Sequence, residues 1–277
     1  MASILIVGCG GIGSQLGLHL ADQGHRVTGL KRHPPVNDKK ICYFAADISD
    51  AATLHDLDIN FDQLFFIVSA DGRNQHSYRS VYETGLRNVL DRLSGLPWIF
   101  VSSTSVYGQL RGEWVDEESA TEPENVNSAL ILQAEKQVLA ANPANIVVRF
   151  SGIYGPGREH LVRLAANQPE IQKTPTYYTN RIHQEDCVDV LSFLFEQRLD
   201  NVPLDRCYLA SDDDPAPMWD VVSFLAERLH CPPPIAKQID EAAPMNKRCD
   251  NARLKALGYR FRYPSYREGY GRLLQAS

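Results

Sequence analysis

Short apolar runs alternate with amphipathic segments of helical period through the first half of the chain. Between the first two runs, Ile12, Leu16 and Leu20 recur every four residues, and Gly24 follows as a helix stop. Strands that are apolar throughout and separated by such helices predict an α/β fold with a doubly wound parallel sheet. Six strands are predicted, at residues 4–7, 26–30, 41–45, 64–69, 98–102 and 146–150.

The pattern weakens after Phe150. Helices are predicted over 186–196 and 219–229 and a strand over 207–210, and the prolines at 232–234 interrupt the chain again. We therefore predict two domains. The first covers residues 1–150, and the second is a smaller mixed region over 151–277 that is intertwined with the first and caps its sheet.

Composition and charge narrow the class of protein. Of the 277 residues, 44% are hydrophobic and 22% are charged, which is typical of a globular protein. The formal net charge of −6 argues against a nucleic-acid partner, because phosphate neutralisation needs a basic surface, but it allows a small anionic ligand. The six cysteines form no C-x-x-C pair and no zinc-ligand spacing, so we expect reduced thiols and no metal site.

The chain shows no membrane or export signal. No apolar run approaches the roughly 18 residues needed to span a bilayer. The first run, residues 4–7, is too short for a signal peptide and has no basic stretch before it. We therefore expect no membrane partner and a cytoplasmic location.

The sequence GCGGIG occupies residues 8–13, directly after the first predicted strand and before the first predicted helix. In a G-x-G-x-x-G motif at this place, Gly8 permits a tight turn, Gly10 lets the backbone approach a pyrophosphate, and Gly13 lets the helix pack closely on the sheet. The first helical turn, with Gly11 and Ile12, then offers free N–H groups and partial positive charge to the phosphates. The first domain is therefore predicted to be an NAD(P)-binding Rossmann fold.

The residues after the second strand indicate which dinucleotide binds. NAD sites of this fold usually carry an acidic residue about 20 positions beyond the glycines, where it bonds the ribose 2′-hydroxyl. Here Lys31 and Arg32 stand in that region instead. Two cations suit a 2′-phosphate, so NADP is preferred to NAD, and the alternative is a solvated basic turn.

Further cofactor contacts are expected where the third and fourth strands end. Asp47 could reach the adenine by a hydrogen bond, or it could stabilise its own turn. Ile48 follows it directly. Ser69 and Ala70 close the fourth predicted strand at its carboxyl end, where the ligands of such sheets collect.

Five further stretches combine with the glycine motif. They are VYETGLRNVL (81–90), VSSTSVYG (101–108), VRFSGIYGPGR (148–158), RIHQED (181–186) and KRCDNARLKALGY (247–259). Together these stretches resemble the extended short-chain dehydrogenase/reductase family, which includes nucleotide-sugar epimerases and dehydratases. The resemblance implies a Rossmann NAD(P) domain and a smaller substrate domain. It also implies hydride transfer assisted by a tyrosine, a lysine four residues later, and a serine or threonine at the end of the fifth strand.

The resemblance assigns only one of these three catalytic groups to this chain. The serine falls on Ser103, for which the alternative is a strand-end serine that bonds local backbone groups. The tyrosine and lysine places hold Ser128 and Leu132. A serine hydroxyl is far less acidic than a phenol of pKa about 10, and leucine carries no charge, so the usual proton relay is not expected. Lys136, one turn further, is expected to be an ordinary exposed helix charge.

The same resemblance places candidate substrate ligands at Ser105, Tyr154, Arg158 and Arg181. Two departures affect the expected grip on a diphosphate, because Thr179 stands where the family tends to keep an arginine and Gly152 stands where an asparagine is expected. Even so, Arg158 and Arg181 are expected to hold an anionic substrate, or else to pair with surface carboxylates.

Two functional hypotheses follow. The first is an oxidoreductase or epimerase of atypical kind, acting on an unknown small molecule with an unidentified proton donor. The second is a non-catalytic NADP(H)-binding sensor or regulatory protein. The resemblance also implies a homodimer, because members of the family often pair through a helix that corresponds to the one near Ser128, whose apolar face suits either a dimer or core packing. That face consists of Leu130, Ile131, Ala134 and Val138.

Overall fold

The computed structural model of the chain describes residues 1–35, 38–239 and 246–275. Two of the predicted strands, β7 and β12 below, have the predicted bounds. The strands in this part of the chain are β1 Ser3–Val7, β2 Arg26–Lys31, β3 Cys42–Ala45, β4 Gln63–Phe66, β5 Trp98–Ser103, β6 Glu113–Val115, β7 Ile146–Phe150, β8 Gly152–Tyr154, β9 Glu170–Thr174, β10 Tyr178–Thr179, β11 Arg181–His183, β12 Cys207–Ala210, β13 Ala216–Pro217, β14 Ile235–Gln238 and β15 Lys247–Cys249.

The helices alternate with these strands through the first 150 residues, as the hydrophobic pattern predicts. They are α1 Gly11–Asp22, α2 Gln75–Arg79, α3 Leu86–Leu93, α4 Val126–Ala141, α5 His160–Ala165, α6 Gln184–Leu199, α7 Met218–Arg228, α8 Ala252–Ala256 and α9 Tyr266–Gln275. Short 3-10 turns cover Ala51–Leu54 and Thr104–Val106, and a π-helical stretch, Ser80–Gly85, joins α2 to α3. No helix among the described residues is long and apolar enough to cross a bilayer.

The chain forms two compact units built from interleaved segments. Unit 1 contains residues 1–106, 123–149 and 188–208, and unit 2 contains 107–122, 150–187 and 209–277. The chain first leaves unit 1 at Val106, so that residues 107–122, which we predicted to lie in the first domain, belong to unit 2. It leaves unit 1 again at Arg149, next to the expected boundary. It returns to unit 1 over 188–208, a segment that the sequence had assigned to the second domain.

Unit 1 contains most of a seven-stranded sheet in the order β12-β7-β5-β4-β1-β2-β3, and only the last residues of β7 and β12 are assigned to unit 2. The pairs of β1 with β2 and β4, of β2 with β3 and of β4 with β5 are parallel. The predicted doubly wound parallel sheet is confirmed. Strand order reverses beside β1, whose neighbours are β2 and β4, and this is the place where open α/β sheets bind ligands.

The strand over 207–210 corrects one prediction, because we expected it in the capping region. It is β12, and it extends the central sheet beyond β7. Tyr208, Leu209 and Ala210 are fully buried. β12 is the edge strand of this sheet, and these three side chains are buried nevertheless, as expected for an apolar strand in a sheet whose two faces are both covered.

Unit 2 consists of short strand pairs and helices around its own core. β8 pairs with β11, β9 with β14 and β6 with β15 in parallel, and β10 pairs with β13 in antiparallel fashion. Its apolar core is formed by side chains of α5, α7 and α9 together with strand residues. The members of this core include Tyr154, Ile171, Val221, Leu225, Tyr266 and Tyr270.

Candidate functional site

The glycine-rich turn lies between β1 and α1 in unit 1. Gly8 has a φ of +92°, and a Cβ atom added there would lie 2.7 Å from the carbonyl carbon of Ile67. A Cβ atom on Gly13 would lie 2.4 Å from the carbonyl oxygen of Gly8. Gly8 therefore allows the backbone after β4 to approach the turn, and Gly13 allows α1 to pack against it.

Gly10 differs, because a Cβ atom there would meet no atom of residues 1–35, 38–239 or 246–275 within 4 Å. The backbone at Gly10 thus faces open space rather than protein. α1 begins at Gly11 with no side-chain cap, and its first helical bond runs from the Ser14 N–H to the Gly10 carbonyl at 2.8 Å. The N–H groups of Gly11, Ile12 and Gly13 have no acceptor within the described part of the chain. Free amides at a helix N-terminus beside open space form a cradle for phosphate.

A cleft of about 320 Å³ opens above this turn, at the carboxyl ends of β1 to β4. Its lining includes seven of the predicted cofactor residues, namely Gly8, Gly10, Lys31, Arg32, Asp47, Ile48 and Ser69. Gly11, Ile12 and Gly13 form the adjoining first turn of α1, and Ala70 follows Ser69 just outside the lining. The fold therefore brings residues from four separate strand ends into one concave surface.

Further lining residues come from the segment after β4, where the sequence analysis predicted no cofactor residue beyond Ala70. They are Asp71, His76, Ser77, Ser80 and Val81. β4 ends at Phe66 rather than at the predicted residue 69, so residues 67–70 already belong to the loop. The polar stretch DGRNQHS at 71–77, directly after a strand end at the switch point, was the available signal.

Charged side chains gather in the part of the cleft formed by β2 and β3. Lys31 ends β2 and Arg32 follows it. The guanidinium of Arg32 forms an ion pair with Asp71, with Nη2 and Oδ2 2.5 Å apart. Cationic groups thus line the cleft where a dinucleotide of this fold places its adenosine ribose.

Asp47 stabilises its own turn, which is one of the two roles that we predicted for it from the sequence. Its Oδ1 accepts hydrogen bonds from the N–H of Ser49 at 2.9 Å and from the Ser49 hydroxyl at 2.7 Å. These bonds, with a smaller contribution from the charge of Arg32, hold the pKa of the Asp47 carboxyl below its usual range. The carboxylate therefore remains ionised in the cleft at neutral pH.

Ser103 is the last residue of β5 and is partly exposed. Its Oγ accepts a hydrogen bond from the N–H of Ser105 at 3.1 Å, inside the short turn that follows the strand. This is the local backbone bond that the alternative reading of Ser103 describes. The hydroxyl proton of Ser103 remains available to a further acceptor, because the bond to Ser105 uses only an oxygen lone pair.

α4 begins beside Asn125, whose Oδ1 accepts the Ser128 N–H at 2.9 Å. Ser128 and Leu132 are buried, with 4% and 8% of their surface exposed, whereas Lys136 lies on the exposed face. The predicted apolar face of this helix is already buried within the chain: Leu130, Ile131, Ala134 and Val138 are at most 5% exposed. These four side chains therefore serve core packing.

The candidate substrate residues of unit 2 have contrasting surroundings. Tyr154 is 3% exposed and stacks on Tyr270, with ring centroids 4.3 Å apart. Burial raises the pKa of its phenol, and its hydroxyl has no hydrogen-bond partner within the described ranges. Tyr154 thus occupies the position of a core residue. Arg158, by contrast, is exposed and has no ion pair with any described carboxylate.

Arg181 is inside unit 2 rather than on its surface. It is 3% exposed, its Nη2 donates to Thr179, and its guanidinium carbon lies 5.3 Å from the Tyr266 ring centroid. The alternative of a surface ion pair is therefore wrong for Arg181. The Arg181 carbonyl accepts the N–H of Asp212 at 2.8 Å, and Asp212 is itself 1% exposed. Burial raises the pKa of the Asp212 carboxyl, and the charge of Arg181 opposes this rise.

Comparison with known proteins assigns the chain to a family. The sequence profile of the NAD dependent epimerase/dehydratase family matches residues 4–201, which include the whole glycine turn and every strand end of the cleft. The chain belongs to this family. The resemblance to extended short-chain dehydrogenases/reductases is thereby confirmed.

Solved structures share the whole fold of this epimerase/dehydratase-family protein. A protein from Methylobacillus flagellatus, described as a candidate NAD-dependent epimerase/dehydratase, is 36% identical with a TM-score of 0.83, covering 99% of this chain and 98% of that one. UDP-glucuronic acid 4-epimerase from Bacillus cereus, solved with NAD, has a TM-score of 0.79 at 18% identity, covering 99% and 97%. At 18% identity, the similarity to the Bacillus cereus enzyme shows a shared fold and nothing further.

A curated relative from a Streptomyces species, 3-diazoavenalumate denitrifying reductase, is 25% identical over 163 residues. The match covers 51% of this chain and 51% of that protein, so the chain spans about half the length of this relative. In this epimerase/dehydratase-family protein, the glycine turn and the cationic strand end were predicted from the sequence. Asp71, and Asp212 in unit 2, were not predicted.

Proposed function

We propose that this protein is an NADP(H)-dependent oxidoreductase or epimerase that acts on a small substrate bearing a hydroxyl or carbonyl group. Membership of the family supports a nicotinamide dinucleotide, and the observation that carries the choice of NADP is the charge at the end of β2. Lys31 and Arg32 line the cleft. An NAD-specific protein of this fold would instead carry, at the end of this strand, a carboxylate that binds the ribose. Arginine and lysine are suited to a phosphate, through a planar fork and a point charge respectively.

The residues present fit the dinucleotide. The free amides of Gly11, Ile12 and Gly13 and the open space at Gly10 would hold the pyrophosphate. Lys31 and Arg32 would hold a 2′-phosphate, and Asp47 lines the cleft near them. When bound, the nicotinamide ring accepts or supplies a hydride. Ser103, with its free hydroxyl proton, would position the oxygen of the substrate whose carbon gains or loses that hydride.

The proton donor differs from that of the family. Position 128 holds a serine and position 132 a leucine, both buried, so neither provides an acid of suitable pKa. We propose that another group supplies the proton. Arg158, which is exposed and free of carboxylate partners among the described residues, suits an anionic ligand. The relatives with named activities are enzymes, so a sensor role gains no support from the comparisons.

Calorimetric titration tests the cofactor proposal. We expect NADP⁺ and NADPH to bind more tightly than NAD⁺ and NADH, and the double substitution Lys31→Ala and Arg32→Ala to remove that preference while leaving NAD⁺ affinity unchanged. Lys136→Ala, which removes an exposed lysine on α4, is the matched control. Equal affinities for both cofactors in the native protein would show that the basic strand end is only a solvated turn.

Turnover tests the enzymatic proposal. Oxidation of NADPH would be followed across aldehydes, ketones, nucleotide sugars and aromatic substrates. The aromatic set is included because the curated Streptomyces relative is named as a reductase of an avenalumate derivative. Binding of NADPH without hydride transfer to any member of the panel would count against an enzymatic role.

A further inference from the structure

The ion pair between Arg32 and Asp71 bridges two strand ends on opposite sides of β1. Arg32 follows β2 and Asp71 lies beyond β4, and both β2 and β4 are direct neighbours of β1 in the sheet. The pair therefore lies across the carboxyl end of β1, where the glycine-rich turn begins. Both side chains line the cofactor cleft. The contact is thus part of the cleft and involves the cation that we assign to a 2′-phosphate.

Arg32 is surrounded by negative charge of the protein itself. Asp71 contacts Arg32 directly. The positive charge of Arg32 also acts on Asp47, which lines the same cleft. Lys31, the neighbouring cation, has no ion pair with any carboxylate in the described ranges. A ligand phosphate would therefore find Lys31 available but Arg32 already occupied.

The pair is weak enough to be exchanged. The side chains of Arg32 and Asp71 are 51% and 67% exposed, and ion pairs at such exposure contribute little to stability. A phosphate monoester carries nearly two negative charges and can accept two parallel bonds from a guanidinium. It would therefore replace a single exposed carboxylate as the partner of Arg32.

We propose that Asp71 is a specificity-determining residue, an internal counter-ion that holds Arg32 until a 2′-phosphate replaces it. The inference rests on the proposed preference for NADP. Asp71 weakens binding of the 2′-phosphorylated cofactor, because its contact with Arg32 must be given up and its charge repels the phosphate. NAD does not require the contact between Asp71 and Arg32 to be given up, because its ribose hydroxyl carries no charge. The native protein is accordingly less selective for NADP than its two cations alone would make it.

The substitution Asp71→Asn tests this role, with 2′,5′-ADP and ADP as probes of the adenosine end. We expect 2′,5′-ADP and NADP⁺ to bind roughly fivefold more tightly to Asp71→Asn than to the native protein, as loss of one exposed ion pair implies. ADP and NAD⁺ should change less than twofold. The gain should shrink as salt is added, because exposed charges are screened. Asp91→Asn, an exposed position of α3 outside the cleft lining, controls for the change in net charge.

A thermodynamic cycle with Arg32→Ala separates exchange of the ion pair from simple repulsion. If Asp71 acts through Arg32, most of the fivefold gain should vanish when Asp71→Asn is made in the Arg32→Ala background. An unchanged or lower ratio of 2′,5′-ADP to ADP affinity in Asp71→Asn, relative to Asp91→Asn, would overturn the inference while leaving the proposed function intact. Failure of the native protein to bind either nucleotide would instead remove the proposed function, and the inference with it.

Discussion

The guanidinium of Arg149 and the carboxylate of Glu135 form an ion pair inside unit 1, with Nη2 and Oε2 2.7 Å apart and side-chain exposures of 8% and 2%. The Arg149 Nε also donates to Oε1 at 3.0 Å, so the contact is bidentate, and the hydroxyl of Ser102 donates to the same Oε1. The network joins α4, β7 and β5, and its β5 member, Ser102, directly precedes Ser103 in the strand. Removal of one partner would leave an uncompensated charge in the core.

We expect Glu135→Gln to lower the free energy of unfolding by about 3–5 kcal/mol, because Arg149 would keep its charge without a carboxylate partner. The measurement is urea denaturation followed by far-ultraviolet circular dichroism. The control is Glu83→Gln, which breaks the more exposed pair of Arg79 with Glu83 four residues apart on the helix and should cost less than about 0.5 kcal/mol. Equal losses for the two variants would show that the buried pair contributes nothing beyond a surface pair.

The glycine turn allows folding and binding to be separated. A Cβ atom at Gly10 would have no atom of the described residues within 4 Å, whereas one at Gly13 would lie 2.4 Å from the Gly8 carbonyl oxygen. We expect Gly10→Ala to melt within about 2 °C of the native protein, as surface substitutions do, but to bind NADP(H) at least roughly tenfold more weakly. Gly13→Ala should be less stable by about 1–3 kcal/mol, because backbone would have to move. Tight NADP(H) binding by Gly10→Ala would mean that the pyrophosphate does not approach the turn at this residue.

The cofactor cleft could be predicted to a large extent because its signals are local. Gly8, Gly10 and Gly13 form a motif within six residues, and Lys31 and Arg32 follow a strand that the apolar pattern locates. Asp71 was not predicted as a partner of Arg32. The contact exists because β2 and β4 both adjoin β1, and sheet order is decided by tertiary packing rather than by local sequence.

The fold shows the same division between local and tertiary information. β7 was predicted with its observed bounds, because its apolar run begins and ends abruptly. The strand over 207–210 was predicted, but it was assigned to the capping region. An apolar strand has the same sequence pattern in a small sheet as at the edge of a large one. Tyr154 belongs to a motif that the resemblance sets beside the substrate, but the direction of its side chain into the core against Tyr270 depends on packing.

Ser103 and Ser128 offer a matched pair of hydroxyl deletions. Ser103 is partly exposed at the end of β5 with a free hydroxyl proton, and Ser128 is buried at the start of α4. With a substrate identified in the turnover panel, we expect Ser103→Ala to lower kcat on the order of 100-fold without changing NADPH affinity, because positioning of the reacting oxygen is lost. Ser128→Ala should leave kcat within about twofold, a change smaller than one lost hydrogen bond. The reverse order of effects would move the hydroxyl contact to α4.

Asp212 should make the stability of unit 2 depend on pH. Burial raises the pKa of its carboxyl in the folded protein above the ordinary value of 3.8, and the charge of Arg181 opposes the rise only in part. Below pH 3.8 the carboxyl is protonated in both states and contributes nothing. As the pH rises through this value, the unfolded chain releases the proton while the folded protein retains it. The unfolded state is then favoured, and the destabilisation grows until the pH passes the folded pKa.

The substitution Asp212→Asn removes this titration while keeping the size of the side chain. The difference in unfolding free energy between Asp212→Asn and the native protein should therefore become more favourable to the variant as the pH is raised from about 4 to 8. Urea denaturation at several pH values measures it, and Asp91→Asn, at an exposed position, controls for the loss of one carboxylate. A variant that instead loses stability relative to the native protein as the pH rises would show that attraction between ionised Asp212 and Arg181 outweighs the effect of burial.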